Sequence, residues 1–528
     1  MQTTLSGARP SSKNIANEGP QAENRVPRLA IMAIVTVAII LRVLFFFLSS
    51  NAGGDAQARA TRTAMWLAHP EQGLNYTPWL PLHFVMMGAL AHLVGSVELA
   101  TRLLSLLCGA TSLVPFYLLS KGLFGEFAAA LSLIVFTFDP LQIGYSTTAS
   151  SEASYVCLIL TGLAFFFAFW RRDSLILLAV SGAAMTCAAG IRWEAWVLIF
   201  ATSSMLVMRH LLRASRGGAA SPEKLTDLLV WVVTAGLWPM AWFFICWRSQ
   251  INPFFYVSYN HAWVKEQIAT VPHSKLYQLA LPPGTLILTL SVVGLVGALI
   301  GLWLSIRNRK AWLFSVMVIF LALVQYYQMV AGGVMSFARY TIGIGALLAV
   351  ISGFGLTGAA KAISRGKGFT RFMPALVGLL VAVNLGAVIT FSIVPSPVRD
   401  KFRSISPLMQ FPVRIEQIAG FLRPRVNSED RIIIDNFNDE ASAIAAAINL
   451  PILAEDQGKA FFASHRVSEV NSYLVTKHPR YIIYSPKGSL HTQFTLPDRC
   501  GSQEVLLLQV SFKCIHEDDI YSIYESTQ

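Results

Sequence analysis

Runs of about twenty apolar residues recur along the chain, and they limit its fold more than any other feature. A run of that length is what an α-helix needs to cross a bilayer. The runs lie at 29–48, 99–120, 127–143, 153–170, 174–190, 194–208, 228–247, 285–305, 311–331, 339–360 and 373–394. Only 13% of the residues are charged, where a soluble protein carries about 25%. The sequence therefore predicts an all-α polytopic membrane domain with about 10–12 spanning helices.

Composition divides the chain into three parts. Residues 1–27 are polar, which predicts a disordered tail rather than a cleavable signal peptide. Residues 28–394 hold the apolar runs. Residues 395–528 change composition abruptly, and their short apolar stretches at 431–435 and 480–484 predict buried strands around an Ala-rich helix at 439–450. A small α/β domain is therefore expected after the membrane domain.

The basic charge of the protein lies in its membrane part. Residues 1–394 carry 27 Lys and Arg against 13 Asp and Glu, whereas residues 395–528 carry 14 against 16. Positive charge that collects in the loops of a membrane protein sets its orientation. The net charge of +12 therefore gives no reason to expect a nucleic-acid partner.

The loop charges predict which side each loop occupies. Basic residues mark alternate loops, namely 171–172, 209–224, 307–310 and 361–371, together with Arg25, Arg28 and Lys121. This alternation requires segment 79–95, which holds His83 and His92, to lie at the interface rather than to cross. The N-terminus is then cytoplasmic, and loop 49–98, loop 248–284 and the C-terminal domain are extracytoplasmic. We expect a multi-pass protein of the plasma (inner) membrane, in contact with membrane lipids.

Six cysteines fall into two groups. Those in apolar segments are interpreted as small packing residues: Cys108, Cys157, Cys187 and Cys246. Cys500 and Cys514 lie in the C-terminal domain, where an oxidising compartment could pair them. The sequence leaves that disulfide open, and no spacing of His and Cys predicts a metal site.

Two acidic residues stand at the predicted extracytoplasmic ends of helices. Asp55 follows Gly53-Gly54 directly after the first apolar run, and Glu152 closes the loop that begins at Asp139. Each has a structural alternative, because Asp55 is a suitable N-cap and Glu152 is favourable in the first turn of a helix. Their shared side makes them candidate catalytic carboxylates.

Basic and aromatic residues are predicted on the same side. Arg192 is close to Glu194, and an interfacial ion pair is the alternative interpretation. Arg339 runs against the positive-inside trend, and arginine suits phosphate binding. Loop 248–284, with His261 and Lys265, could cover a lipid headgroup or anchor the interface. These groups suit transfer from a phosphate-linked donor.

The order of these features resembles that of the C-type (GT-C) integral membrane glycosyltransferases, in the branch of protein O-mannosyltransferases and lipid A aminoarabinose transferases. The resemblance covers roughly residues 28–360. It runs through Asp55, through Arg339-Tyr340, and through four stretches: YTPWLPLHF at 76–84, ATRLLSLLCG at 100–109, YLLSKGLFG at 117–125 and the loop at 139–152. No Trp-Trp-Asp motif is present, which argues against transfer of whole glycans to asparagine.

The resemblance implies an enzyme that moves a sugar from a polyprenyl-phosphate donor to a lipid, glycan or protein acceptor at the outer face, with inversion. It assigns Asp55 as the base and Glu152 to the catalytic site. Arg339, Lys265 and Arg192 would bind the donor phosphate, and Tyr340, His261 and Tyr145 would contact substrate. No cofactor is required, and the alternative is a divalent ion held by Asp55 and Glu152.

Two other functions are open to such a chain. A transporter or flippase of a lipid-linked or anionic solute would place ionisable groups near the middle of the membrane, in broken helices. A non-catalytic assembly or sensor protein would use the C-terminal domain to bind a partner. The donor sugar, the acceptor and the oligomeric state are not encoded in any pattern that we can interpret.

Overall fold

The protein is described here from a computed structural model. It describes residues 26–527 except 53–54, 69, 71–78, 216–221, 256–257, 259–260, 262–274, 308, 310, 332–337, 365–368, 394–405, 428–429, 436–440, 449–459, 463–473, 476–477, 487–489, 491–495, 497–499, 501–503, 508–509 and 519. Residues 1–25 of the predicted N-terminal tail and the predicted domain boundary at 394 lie outside the described residues.

Helices dominate the chain up to residue 393. They are α1 Arg28–Leu48, α2 Ala56–Ala68, α3 Leu82–Val94, α4 Val97–Thr111, α5 Leu113–Phe124, α6 Glu126–Thr137, α7 Pro140–Tyr145, α8 Glu152–Arg172, α9 Leu175–Ala189, α10 Glu194–Ser215, α11 Pro222–Arg248, α12 Lys275–Arg307, α13 Trp312–Val330, α14 Ile342–Ile363 and α15 Phe369–Ile393. A 3₁₀ turn at Ala338–Thr341 precedes α14.

Nine helical segments of the described chain are long and apolar enough to span a membrane. Two of the predicted spans are shorter than expected. The run at 127–143 ends as a helix at Thr137, because the Asp139 carboxylate accepts hydrogen bonds from the backbone N–H groups of Leu141 and Gln142 and starts a new helix. The run at 174–190 forms the 15-residue α9, which reaches about 22 Å at 1.5 Å per residue.

Small residues bring α12 and α14 together in the centre of the membrane domain. A side chain at Gly355 would collide with the backbone of Gly297, and a side chain at Gly301 would meet Ile351 at 2.6 Å. Without water to expel, helices inside a membrane gain stability from such close van der Waals packing. The span that contains α14 is the most enclosed of the candidate spans in the described chain.

The C-terminal part contains a small sheet, which confirms the predicted α/β character. Strands β1 Ile432–Ile434, β2 Ala460–Phe462 and β3 Tyr481–Tyr484 pair in parallel, and β4 Val505–Leu507, β5 Val510–Glu517 and β6 Ser522–Ser526 extend the sheet antiparallel. The order is β2-β1-β3-β6-β5-β4. Helices α16 Val413–Leu422 and α17 Ala441–Ala447 pack against it. Cys500 and Cys514 are joined in a disulfide.

The C-terminal part is docked directly onto the start of the membrane domain. The Ser50 backbone N–H donates to the Met409 carbonyl oxygen at 2.8 Å, and the Ser49 hydroxyl accepts from the Met409 N–H at 3.1 Å. Ala52 lies in the apolar core that α16, α17 and the sheet share. Helix α17 also packs against α2. The segment between α1 and α2 is therefore held by both parts of the protein.

Candidate active site

Six charged side chains meet at one end of the membrane domain. Three are acids and three are arginines: Asp55, Arg59, Glu152, Arg192, Glu194 and Arg339. They come from the start of α2, α8 and α10, from the turn before α10 and from the 3₁₀ turn before α14. We call these six residues the charged cluster. Buried charges are costly unless they are paired, and here each acid faces at least one arginine.

Asp55 is bound by three side chains. One of its carboxylate oxygens lies 2.8 Å from Nη1 of Arg339. The other accepts a hydrogen bond of 2.9 Å from the Trp79 indole N–H and lies 4.0 Å from Nη2 of Arg59. Burial alone would raise the pKa of the Asp55 carboxyl, but Arg339 and Arg59 outweigh burial and hold that pKa below its usual range. Asp55 is therefore ionised at neutral pH.

Glu152 and Glu194 share one arginine. Nη1 of Arg192 lies 2.6 Å from a Glu152 oxygen, and Nη2 lies 2.6 Å from a Glu194 oxygen. Burial alone would lower the pKa of the Arg192 guanidinium, but Glu194 and Glu152 outweigh burial and raise it. The ion pair between Arg192 and Glu194 that the sequence offered as an alternative is thus present, and it extends to Glu152.

Two tyrosines link the halves of the charged cluster. The Tyr340 ring lies 5.5 Å from the Arg192 guanidinium and 5.2 Å from that of Arg339. Tyr145, on the short helix α7, is almost fully buried, and the charges of Glu152, Arg339 and Asp55 all act on its hydroxyl. The structure therefore places both of these tyrosines at the charged cluster.

Arg102 links the backbone segments that lead to Asp55 and to Glu152. Its guanidinium donates to the carbonyl oxygens of Phe46, of Ser49 (2.8 Å) and of Thr147 (2.9 Å). The first two carbonyls belong to the end of α1, which leads to Asp55, and the third to the loop that leads to Glu152. The Asn51 side-chain oxygen accepts a second bond across the same gap, from the Ala149 N–H at 2.7 Å.

The structure brings some of the predicted site residues together and leaves others apart or outside the described residues. Asp55, Glu152, Arg192 and Arg339 converge. His261 is exposed and forms no ion pair or hydrogen bond with the charged cluster in the described part of the chain. Lys265 lies outside the described residues.

The sequence did not reveal every member of the site. Arg59 is one helical turn after Asp55, 4% exposed, with its guanidinium 4.8 Å from the Trp79 ring and 5.8 Å from the Phe84 ring. The i, i+4 spacing to Asp55 was the available signal. Trp79 could not be assigned as a partner of Asp55, because the contact joins positions 24 residues apart.

The carboxylates of the charged cluster face arginines rather than one another. Across the described ranges, no group of three or more His, Cys, Asp or Glu side chains is placed to hold a metal ion. The carboxylates of Asp55 and Glu152 instead each bind a guanidinium group. These residues therefore fit an arginine-based site.

The charged cluster combines two chemical capabilities. An ionised carboxylate with partial exposure can accept a proton from a hydroxyl group. Guanidinium groups next to it can bind a phosphate through paired N–H donors and remain charged as they do so.

Comparison with known proteins agrees with this architecture. The family model described as dolichyl-phosphate-mannose-protein mannosyltransferase matches residues 70–235. The crystal structure of ArnT from Cupriavidus metallidurans bound to undecaprenyl phosphate is similar, with a TM-score of 0.59 and 15% identity over 94% of this chain and 98% of that chain.

The apo state of the same ArnT gives a TM-score of 0.56 and 14% identity over 94% of this chain and 97% of that chain. No curated protein sequence matches the chain significantly. The resemblance predicted from the sequence is confirmed, and the chain has the fold of the C-type integral membrane glycosyltransferases.

Proposed function

We propose that the protein transfers a sugar from a polyprenyl-phosphate donor to an acceptor hydroxyl. The observation that carries this proposal is the 2.8 Å ion pair between Asp55 and Arg339. It places a proton-accepting group beside a phosphate-binding group, in the fold of C-type glycosyltransferases. The bound undecaprenyl phosphate of the similar ArnT structure supports a lipid-phosphate ligand.

The reaction that we propose is a single displacement with inversion. Asp55 takes the proton of the acceptor hydroxyl, and the acceptor oxygen forms a bond to the anomeric carbon. The bond from that carbon to the phosphate oxygen breaks, and its electron pair leaves with the phosphate. Arg339 and Arg59 stabilise the charge that develops there. Lys265 and Arg192 remain predicted contributors to the phosphate site, and Tyr145, Tyr340 and His261 predicted substrate contacts.

Donor binding would also activate Asp55. An aspartate paired with two arginines is a weak base, because its pKa is held low. A phosphate group that binds Arg339 and Arg59 partly neutralises their positive charge, so they stabilise the ionised Asp55 carboxylate less. Asp55 would then become more basic once the donor is in place, which links proton removal to a complete site.

Glu152 acts in this proposal through Arg192. Its carboxylate and that of Glu194 fix the Arg192 guanidinium, against which the Tyr340 ring rests. Tyr340 also contacts Arg339. Glu152 would therefore shape the donor or acceptor site.

We place this chemistry at the extracytoplasmic face of the plasma membrane. The support is the distribution of Lys and Arg among the loops, and the disulfide in the C-terminal part, since disulfides persist in oxidising compartments. A transporter has less support, because the acids stand at the first residues of helices, whereas transporter sites lie near the middle of the membrane.

Binding of undecaprenyl phosphate to the purified full-length protein tests the phosphate site. We expect Arg339→Gln to weaken binding by about ten-fold or more, because a hydrogen-bonded charge pair with phosphate is lost. Arg209→Gln is the matched control, since Arg209 pairs with Asp173 outside the charged cluster. Equal affinity of Arg339→Gln and the wild type would contradict the proposal.

A further inference from the structure

His83 is a fully buried histidine whose two ring nitrogens lack hydrogen-bond partners among the described residues. Its exposed fraction is 0%, and neither Nδ1 nor Nε2 bonds to a group in the described ranges. Buried polar atoms in folded proteins nearly always have a partner, and an exception needs an explanation. No step of the proposed reaction uses this side chain.

The neighbours of His83 place it beside the charged cluster. The Leu82 backbone N–H donates to the Gly190 carbonyl oxygen at 3.1 Å, two residues before Arg192. On the other side of His83, the Phe84 ring lies 5.8 Å from the Arg59 guanidinium. The charges of Arg59 and Arg192 both act on the imidazole. The first turn of α3 therefore places His83 next to the charged cluster.

A second donor nearby also has no partner. Nη1 of Arg59 is buried and makes no hydrogen bond within the described residues, although Nη2 of the same guanidinium faces Asp55. Two neighbouring elements, α2 and α3, thus each supply buried hydrogen-bonding capacity that no described protein group uses.

The chemistry of the missing partner follows from these groups. A buried imidazole on which the charges of two arginines act is neutral, because burial and positive charge both disfavour its protonated form. A neutral imidazole carries one N–H donor. An oxygen-rich anion satisfies that donor and the free N–H groups of Arg59 together, and a phosphate group has enough oxygens to do so.

We propose that His83 donates a hydrogen bond to the phosphate of the lipid-linked substrate and forms, with Arg59, one wall of the phosphate site. This inference rests on the proposed function and adds a ligand contact that the sequence analysis did not assign. In the free protein, a buried ring without a hydrogen-bond partner lowers stability. The donor phosphate would supply that partner.

The test compares undecaprenyl phosphate affinity in the full-length protein with His83 replaced. His83→Leu should weaken binding by about ten-fold or more, because it removes a hydrogen bond to a charged group. The same variant should unfold at an equal or higher temperature than the wild type without ligand, because it removes a buried polar group that has no partner. His92→Leu, at an exposed position of the same helix, is the matched control and should bind normally.

Three further arms make the outcome decisive. Undecaprenol, which lacks the phosphate, should bind His83→Leu and the wild type equally, and a difference there would overturn the assignment to phosphate. His83→Met fills the same space with a flexible side chain and gives the same test if the leucine variant does not fold. Undecaprenyl phosphate affinity equal to wild type in a folded His83 variant, alongside weak binding by Arg339→Gln, would overturn this inference and leave the proposed function standing. Absence of binding by the wild type would contradict both.

Discussion

Asp55 and Arg339 form an ion pair that joins the candidate base to a candidate phosphate-binding group. Asp55 could have been an N-cap of α2, yet its carboxylate oxygens bind Arg339 and Trp79, 2.8 and 2.9 Å away. The residue types and the loop charges predicted a common side for Asp55 and Arg339, but not the ion pair between them. The roles of Arg59, Trp79 and His83 could not be predicted from the sequence, because they depend on how α2 and α3 pack against each other.

Arg59 should control the pH at which Asp55 loses its charge. Because Arg339 and Arg59 hold the Asp55 pKa of the free protein below its usual range, kcat/KM for the donor, which reports the free protein, should stay constant as pH falls through about 4 and decline only below it. Arg59→Gln removes one of the two positive charges that oppose the effect of burial on Asp55. The pKa of Asp55 therefore rises, and the rate begins to decline at a higher pH. A pH–rate profile of transfer measures this shift.

The control for this profile is Arg209→Gln, which removes an arginine–aspartate pair away from the charged cluster. Its acidic limb should match that of the wild type. An unchanged or lower acidic limb in Arg59→Gln would show that Asp55 is not the group whose ionisation limits the rate.

Helix ends, more than helix middles, determine the geometry of the site. The apolar runs predicted most spans, but the run at 127–143 divides where the Asp139 side chain caps a new helix, which a count of apolar residues overlooks. The run at 174–190 forms a helix of only 15 residues. Both short helices end next to the charged cluster. The loops at 138–151 and 190–193 then carry Tyr145 and Arg192 into it.

Arg102 should act on transfer by positioning. Arg102→Gln removes donors to the end of α1 and to the loop before Glu152, so the two catalytic candidates should lose their relative placement. We expect kcat to fall by about ten- to a hundred-fold, with undecaprenyl phosphate affinity much less affected. Steady-state kinetics with a binding measurement separate these effects.

Arg171→Gln is the matched control for Arg102→Gln. Arg171 also donates to a backbone carbonyl oxygen, that of Gly122, but it lies at the other end of α8, about 30 Å from Glu152 by helix rise. This variant should retain wild-type kcat. A wild-type kcat in Arg102→Gln would refute the positioning role.

The C-terminal part contacts the end of α1 and the residues that lead to Asp55, so both parts of the protein position this carboxylate. The C-terminal part was predicted as a separate α/β unit, and its sheet is present. Its docking on Ser49, Ser50 and Ala52 was not predictable, since these contacts join residues about 360 positions apart in the chain. Helix α17 reaches α2, so the C-terminal part also braces the helix that bears Arg59.

The sidedness of the whole chain is a direct prediction of its loop charges. An alkaline phosphatase fused after Gln528 should be active, because that enzyme requires an oxidising, extracytoplasmic compartment. Alkaline phosphatase fused after Arg309, in a basic loop that is predicted to be cytoplasmic, should be inactive. The reverse pattern would place the charged cluster on the cytoplasmic side and remove the proposed site from the outer face.

Sugar transfer by an Asp55→Asn variant tests the central claim most directly. The measurement is transfer of labelled sugar from polyprenyl-phosphate donors in membranes that contain equal amounts of wild-type protein, Asp55→Asn or Asp173→Asn. Asp173 is the matched control, since it also pairs with an arginine but lies outside the charged cluster. We predict that Asp55→Asn loses transfer by about a hundred-fold or more, as expected for a general base, while Asp173→Asn retains it. Full transfer by Asp55→Asn would contradict the account.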